Sequence, residues 1–352
     1  MGSGSGVSMS MEEALASLGR RITVRRLVGA GGDHPVFTDA VGVLESTQDN
    51  KIVLRLRSGK TVTFGRDSVV AARVVPVRGL QLTGRELEGI AAAGWRGLRT
   101  AQLGDWLLRE AGGFTGRANS ALLLGDPGMA LPAAVAHVSA WYQARDLPPK
   151  FQVPLPDSGP ADQWLADNGW AAVDHVRVLV ADIAHLLRAG PPTVGPGRLL
   201  TVDPRPDDTW LQAYHYRGGH LPDHARQVIE NGDRLGFASV RSAAGDVLAI
   251  ARGSVDRRWL GVTAVEVAPS HRRQGLAQAV LVALARWADA LGAHSCYLQV
   301  SVDNTAALEL YRSAGFVDHH RYHYRVQPPR DLDAPRPDLT TPTMSHPSRQ
   351  RS

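Results

Sequence analysis

The chain has 352 residues, 43% hydrophobic and 21% charged, an ordinary globular balance with room for two or three domains. Its net charge of +5 and pI near 9.6 permit an acidic or nucleic-acid partner without demanding one. A single cysteine, Cys296, excludes an intramolecular disulfide framework, and no apolar run approaches the ~18 residues of a membrane-crossing helix. Residues 2–6 are Gly and Ser and lack the charged and apolar regions of a signal peptide, so the cytoplasm is the expected compartment and no membrane partner is expected.

The leader, residues 1–19, ends in a short predicted helix over 11–18. Residues 20–76 read as all-β, with β-branched runs at 22–24, 39–45, 51–57, 61–64 and 69–75 and a hairpin turn at Ser58-Gly59. Five short strands in this span predict a small barrel of SH3 or Sm-like type. Over residues 1–75, ten Arg and Lys stand against seven Asp and Glu. That excess is too small for a nucleic-acid surface, so the barrel reads as a structural or oligomerising module, with homo-oligomers in view.

Residues 80–190 change character. Thr83-Gly-Arg-Glu86 has the spacing of a capping box at a helix start. Strands are expected at 105–110 and 118–124, a helix over 131–144, a strand at 150–153, a helix over 161–167 closed by Gly169-Trp170, and a strand at 176–180. Residues 191–205, rich in Pro and Gly, read as a linker. Residues 206–326 open with helices over 208–216 and 222–230, then strands at 235–241 and 246–254 around the turn Ala244-Gly245. Residues 327–352 hold few large apolar side chains and are expected to be disordered.

The chemistry concentrates in 258–317. Residues 258–267 read as a strand stopped by Pro269. A turn over 271–277 follows, then a helix over 276–291 with Gly292 as its stop. The turn sets Arg272 and Arg273 beside a helix N-terminus, whose free N–H groups favour an anion, so the ligand should carry phosphate. The fingerprint Arg272-x-x-Gly275-x-Ala277 is neither the Gly-x-Gly-x-x-Gly of a dinucleotide fold nor a P-loop. A strand containing Cys296, which reads as a buried inert thiol, leads to Asn304, then Tyr311, then Gly315-Phe316, and a strand over 320–326 closes the segment.

This stretch resembles the GNAT superfamily of N-acetyltransferases. The resemblance implies an α+β acyl-CoA N-acyltransferase fold, acetyl-CoA as co-substrate, an amine acceptor and no metal. It implies that the amides of Arg273, Gln274, Gly275, Leu276, Ala277 and Gln278, with Arg272 beside them, hold the pyrophosphate. Val265, Glu266 and Val267 would pair with the pantetheine arm, Asn304 and Ala307 would contact the cofactor, and Tyr311 would protonate the departing thiolate. Some members, such as the ribosomal-protein N-terminal acetyltransferases, carry Glu where Gln299 stands. Gln cannot usefully accept a proton, so the general base is lost or moved. Glu266 is the nearest carboxylate, although strand alternation turns it away from the face of Val265 and Val267, and it serves equally as an ion-pair partner. Glu230 is a further candidate. His319, His320 and His323 lack zinc-site spacing and read as surface histidines.

The element order of 80–190 echoes that of 206–326, but Gly125-Asp-Pro-Gly128 replaces the Arg-x-x-Gly-x-Ala turn. The segment reads as a degenerate GNAT-like repeat, similar in layout to mycothiol synthase, that binds no coenzyme of its own. Three functions stay open: an N-acetyltransferase for a small amine or amino acid, a protein acetyltransferase acting on basic, histone-like tails through the barrel, and a non-catalytic acetyl-CoA sensor or scaffold. Tyr311 beside the cofactor stretch argues against the last.

Overall fold

The computed structural model describes residues 10–16, 18, 21–31, 34–56, 60–74, 82–190, 192–215, 219 and 221–327. The first nine residues of the leader, the Ser58-Gly59 turn and all of the tail but Gln327 lie outside the described residues.

Ser10 and Glu13 close a reciprocal capping box on α1 (Met11–Leu15). Five antiparallel strands follow: β1 (Arg21–Gly31), β2 (His34–Ser46), β3 (Lys51–Leu56), β4 (Thr61–Gly65) and β5 (Val69–Val74), in the order β4-β3-β2-β1-β5. Alternate residues Ile22 and Val24, Leu44, and Ile52 and Leu54 point inward, and Ala14 and Leu15 of α1 close this small core. All five expected strands are present, with β1 and β2 longer than the sequence suggests because they form one extended hairpin.

The rest of the chain builds a single 11-stranded sheet. Its first half runs α2 (Gly84–Gly94), β6 (Arg99–Leu103), β7 (Trp106–Glu110), β8 (Ala121–Leu123), α3 (Leu131–Gln143), β9 (Lys150–Leu155), α4 (Gly159–Asp167) and β10 (Ala171–Asp182). A short α5 (Ile183–Leu186) leads to the second half: β11 (Arg198–Asp203), α6 (Asp208–Ala213), α7 (Ala225–Ile229), β12 (Leu235–Ser242), β13 (Val247–Asp256), β14 (Trp259–Val267), α8 (Leu276–Ala290), β15 (Ser295–Ser301), α9 (Thr305–Ser313) and β16 (Val317–Val326). The sheet order is β11-β12-β13-β14-β15-β10-β16-β9-β8-β7-β6.

Several expectations change here. β6 was not foreseen, because its run Arg-Thr-Ala-Gln-Leu is mostly exposed and shows no clean apolar alternation. The stretch expected to be a linker contains β11, which pairs antiparallel with β12 along its whole length. β10 is more than twice the expected length, because it pairs on both sides. Residues 118–120 are turn, not strand, and the helices expected over 208–216 and 222–230 are shorter.

The centre of the sheet joins the halves. β10 of the first half lies between β15 and β16 of the second, while β16 lies between β10 and β9 of the first. Each half therefore completes the other's hydrogen-bond ladder. Asp162 of α4 reinforces the join by accepting from Arg325 Nε and bonding His323 Nε2, both at 2.7 Å. Burial works against its charge, but these two partners hold its carboxyl below the usual range. His323 is 5% exposed and His320 8%, so these two are interior groups with acid partners, not the surface histidines expected.

Helix α8 packs on one face of the second half, where its Val280, Leu281 and Leu284 meet Val262, Cys296 and Leu298 in the largest apolar cluster. Helices α6 and α7 cover the opposite face, and α2 spans the middle of the sheet there, with Leu87, Ile90 and Ala91 against Val178, Val180 and Tyr297.

The exchanged strands predict that the halves do not fold separately, despite the boundaries at 190 and 206. Residues 83–327 should melt in one cooperative transition by circular dichroism. Residues 192–327 alone, with β15 and β16 stripped of β10, should show none. A cooperative transition in the shorter piece would mean that β10 is dispensable.

Candidate active site

The site begins where two strands part. β14 and β15 pair in parallel from Trp259↔Ser295 to Val262↔Leu298 and no further, although both strands continue. A bulge sends β14 away. Against β13, Thr263 pairs with Arg252 and Glu266 with Ile250, so Ala264 and Val265 together face Ala251. Ala264 sits at φ 51, a left-handed conformation that costs a non-glycine residue about 1 kcal/mol or more. The extra residue resets the alternation. Val262 and, three residues on, Val265 both pack against the α8 cluster, while Ala264 packs on the α6–α7 side. Glu266 consequently points to the α6 side, as alternation predicts for a neighbour of Val265 and Val267. There its Oε1 accepts from the His215 backbone N–H at 2.8 Å and its Oε2 lies 3.4 Å from His215 Nδ1.

At the end of β14, Pro269–His271 forms one 3-10 turn and the chain folds into α8. Arg273 and Gly275 both have left-handed φ, of 63° and 77°. Gly275 is the N-cap of α8, with no side chain capping it, so the first-turn N–H groups stay open to a ligand. A Cβ at Gly275 would meet nothing within 4 Å, so the space above the turn is clear. Arg272, Arg273, Gln274 and Gln278 are exposed around it, Ala277 is half-buried and Leu276 anchors in the core. Gln274 Oε1 accepts from Arg198 Nη2 at 2.7 Å, which adds a third arginine to the rim, and Arg272 Nε reaches the Val267 carbonyl at 3.4 Å.

Asn304 caps α9, its Oδ1 accepting from Ala307 N–H at 3.1 Å. One side of that carboxamide is thus spent on the helix, and the residue is exposed. Tyr311 is 7% exposed in the α8 cluster, edge-on to Phe316 at 5.7 Å. Burial, with Cys296 beside it, pushes its phenol well above the ordinary range. Burial also pushes the Cys296 thiol up, as an inert core thiol requires. Glu230 caps the end of α7 and takes Arg226 Nη1 at 3.1 Å, four residues back on the same turn.

On the α2 face, opposite Tyr311, lies a buried polar cluster that sequence reading missed. Glu88 of α2 is 1% exposed. Its Oε1 accepts from Gln299 Nε2 at 2.8 Å, its Oε2 from Gln152 Nε2 at 2.6 Å, and His320 Nε2 lies 3.2 Å from Oε1. Each glutamine passes the polarity to an arginine: Gln152 Oε1 accepts from Arg109 Nη2 at 2.7 Å, and Gln299 Oε1 from Arg117 Nη1 at 3.1 Å. Gln299 is the first residue of β15 beyond its last pairing with β14. The only sequence signal for Glu88 was a carboxylate on the apolar face of α2.

In the first half, β8 and β9 also run parallel and part, after Leu122↔Gln152. A cavity of about 470 Å³ opens there, walled by Leu123, Asp126, Met129 and Asp157 among others. Arg85, Asp126 and Asp157 all line this space; Asp157 Oδ2 accepts from the Arg85 backbone N–H at 2.9 Å and Asp126 Oδ1 from the Gly128 N–H at 2.8 Å.

A bulged strand parting from a parallel neighbour, with an anion-receptive turn at its end, is the frame of the GNAT fold, and solved structures share that fold. A GCN5-related N-acetyltransferase from Kribbella flavida matches with TM-score 0.52 and 18% identity over 73% of this chain and 98% of that one. A tandem GNAT protein from the clavulanic acid biosynthesis pathway matches with TM-score 0.51 and 18% identity over 70% and 89%. Residues 83–325 match the family described as probable histone acetyltransferase Rv0428c C-terminal, and residues 16–73 its N-terminal Sm-like domain. The chain therefore belongs to the Rv0428c-type family of acetyltransferases, with an Sm-like barrel ahead of a tandem GNAT body. It is 37% identical to the probable histone acetyltransferase Rv0428c of Mycobacterium tuberculosis, over 87% of this chain and 94% of that protein. It is 28% identical to the uncharacterized N-acetyltransferase YobR of Bacillus subtilis over 69% and 98%.

Gly275→Asp would strain the left-handed N-cap and put a carboxylate where the helix favours an anion. Coenzyme A binding by calorimetry should weaken at least about tenfold, the worth of a reversed charge at a helix terminus plus the strained turn. The wild-type stoichiometry should be one coenzyme per chain. Undiminished binding in the variant, or two coenzymes per chain, would contradict the placement.

Proposed function

We propose that this chain moves an acetyl group from acetyl-CoA to a primary amine by direct attack through a tetrahedral intermediate. The parting of β14 from β15 is the observation that carries this reading, since it opens a path between the face of the anion-receptive turn and the face of the buried polar cluster. On the first face the amides from Arg273 to Gln278, with Arg272 and Arg273, would hold the pyrophosphate, and the freed edge of β14 at Val265–Val267 would pair with the pantetheine arm. An N–H on that same edge near Val267 would hold the oxyanion. Ala307 and Asn304, at the start of α9, would border the cofactor.

Tyr311 would return the proton to the thiolate. Its raised phenol stays protonated throughout neutral pH, so the hydroxyl is available to donate to the sulfur as negative charge builds on it. The amine, ordinarily near ~10, must first lose a proton. Glu266 is the proposed base, acting through water. It lies past the parting of the strands, on the acceptor side and 29% exposed, and His215 leaves part of its accepting capacity free.

A second reading, transfer to protein tails, draws on the name of the Mycobacterium tuberculosis relative. The net charge of +5 does not help a basic tail approach.

Tyr311→Phe keeps the ring and its packing against Phe316. Turnover should fall by about 10²–10⁴ with cofactor affinity and melting temperature little changed. Because the phenol is pushed up, the wild-type rate should show no loss from Tyr311 ionisation below pH ~10, its ordinary value. Full turnover in the Phe variant would mean that the thiolate takes its proton from elsewhere.

A further inference from the structure

On the acceptor side of the parted strands, two guanidinium groups have no carboxylate partner among the described residues. The loop between β7 and β8 crosses from the first half onto the second, where Ala111, Phe114 and Ala118 pack with Trp210 and Val228. Asn119 shapes this loop: its Oδ1 accepts from Ala111 and Gly113 N–H, and its Nδ2 donates to the Phe114 and Thr115 carbonyls. The loop delivers Arg117 to the site. Arg117 is half-buried, and its hydrogen bond goes to a neutral group, Gln299 Oε1.

A second guanidinium stands nearby. Arg252 of β13 pairs with Thr263 at the bulge and is 0% exposed. Its Nε donates to the Ile229 carbonyl and its Nη1 to the Gly94 carbonyl, while Nη2 is buried without a hydrogen-bond partner among the described residues. The Arg117 and Arg252 guanidinium carbons lie 5.0 and 4.8 Å from the centroid of the Trp95 ring. Trp95 itself is locked by Nε1 donating to Thr115 Oγ1 at 2.9 Å. Burial, with Arg117 also against it and Tyr297 working the other way, brings Arg252 down to about 10. Glu88 is the buried carboxylate of this centre, and its bonds go to Gln299, Gln152 and His320 rather than to either arginine. A buried donor without a partner costs free energy until something accepts from it.

We propose that the acceptor amine carries a carboxylate, as a free amino acid does, and that Arg117 receives it with Arg252 and the Trp95 ring behind. This rests on the transferase reading above and narrows its substrate class. A carboxylate suits the planar fork of arginine and supplies the charge that the two guanidinia lack. A lysine-rich tail would bring a third positive charge to the same place.

The test uses the full chain, with acetyl-CoA and three matched acceptor sets: free α-amino acids, the same amino acids as α-amides, and a lysine-rich tail peptide. Thiol release is read for each set with wild type, Arg117→Gln and Arg117→Lys, with coenzyme A affinity and melting temperature measured on the same preparations. Wild type should release thiol with free acids and at least about 30-fold more slowly with their amides, the usual cost of removing one partner of a buried charge pair. Arg117→Gln should lose a similar factor in kcat/KM toward the free acids, and Arg117→Lys should recover part of it, both with coenzyme binding kept. Amides or the tail peptide reacting as fast as the free acids would overturn the proposal and leave the transferase standing. So would an Arg117→Gln variant that remains folded and loses nothing. No release with any set, while coenzyme A still binds, would sink the transferase reading and this one with it.

Discussion

Val262 and Leu298 are the last residues at which β14 and β15 remain partners, and the rest of the second half is arranged around what happens next. A sheet cannot lose a ladder in its interior without a device to hold the gap. The bulge at Ala264 supplies it, turning β14 toward β13 and away from β15. Beyond the gap, α8 must start where β14 ends, so its uncapped N-terminus sits at the mouth. Beyond β15, α9 returns Tyr311 to the same face as α8. The opposite face is closed by α2 and by the loop through Arg117, both from the first half. The anion-receptive turn and the buried polar cluster therefore lie on opposite faces, with the opening between them.

The electrostatics follow the same division. The turn into α8 is rimmed by exposed arginines, which act through water and gain modestly from helix polarity. Much of the α2 face is buried, so each charge there is set largely by its neighbours. Glu88 keeps company with two amides and a histidine, and the glutamines pass its charge on to Arg109 and Arg117. Arg252 instead rests on carbonyls at the ends of α2 and α7, the negative ends of two helices, which soften its burial without neutralising it.

Much of the second half was legible in the sequence, since its elements are carried by local signals. β-Branched strands, the Gly-bearing turn at 275 and the stop at Gly292 all act within a few residues of themselves. The five strands of the barrel were legible for the same reason. β11 was hidden because it is flanked by Pro and Gly, and only its partner β12 makes it a strand. The length of β10 was hidden because both of its neighbours come from more than a hundred residues away. The buried cluster could not be read at all. Glu88, Arg109, Arg117 and Arg252 are unremarkable single letters until α2, β7, its loop and β13 converge. His320 and His323 read as surface residues once zinc-site spacing is missing, because their acid partners, Glu88 and Asp162, lie more than 150 residues away in the sequence.

The clasp of Gln152 and Gln299 on the two oxygens of Glu88 bears on how such a chain can change over generations. A duplicated unit released from holding the cofactor is ordinarily free to drift. Here the first unit supplies the carboxylate, one of the two amides that bind it, and the loop whose Arg117 bonds Gln299 of the second unit. A substitution at Gln152 would be felt at Gln299 through a single shared carboxylate. A chimera joining the first unit of one such chain to the second of another would have to match them at this carboxylate.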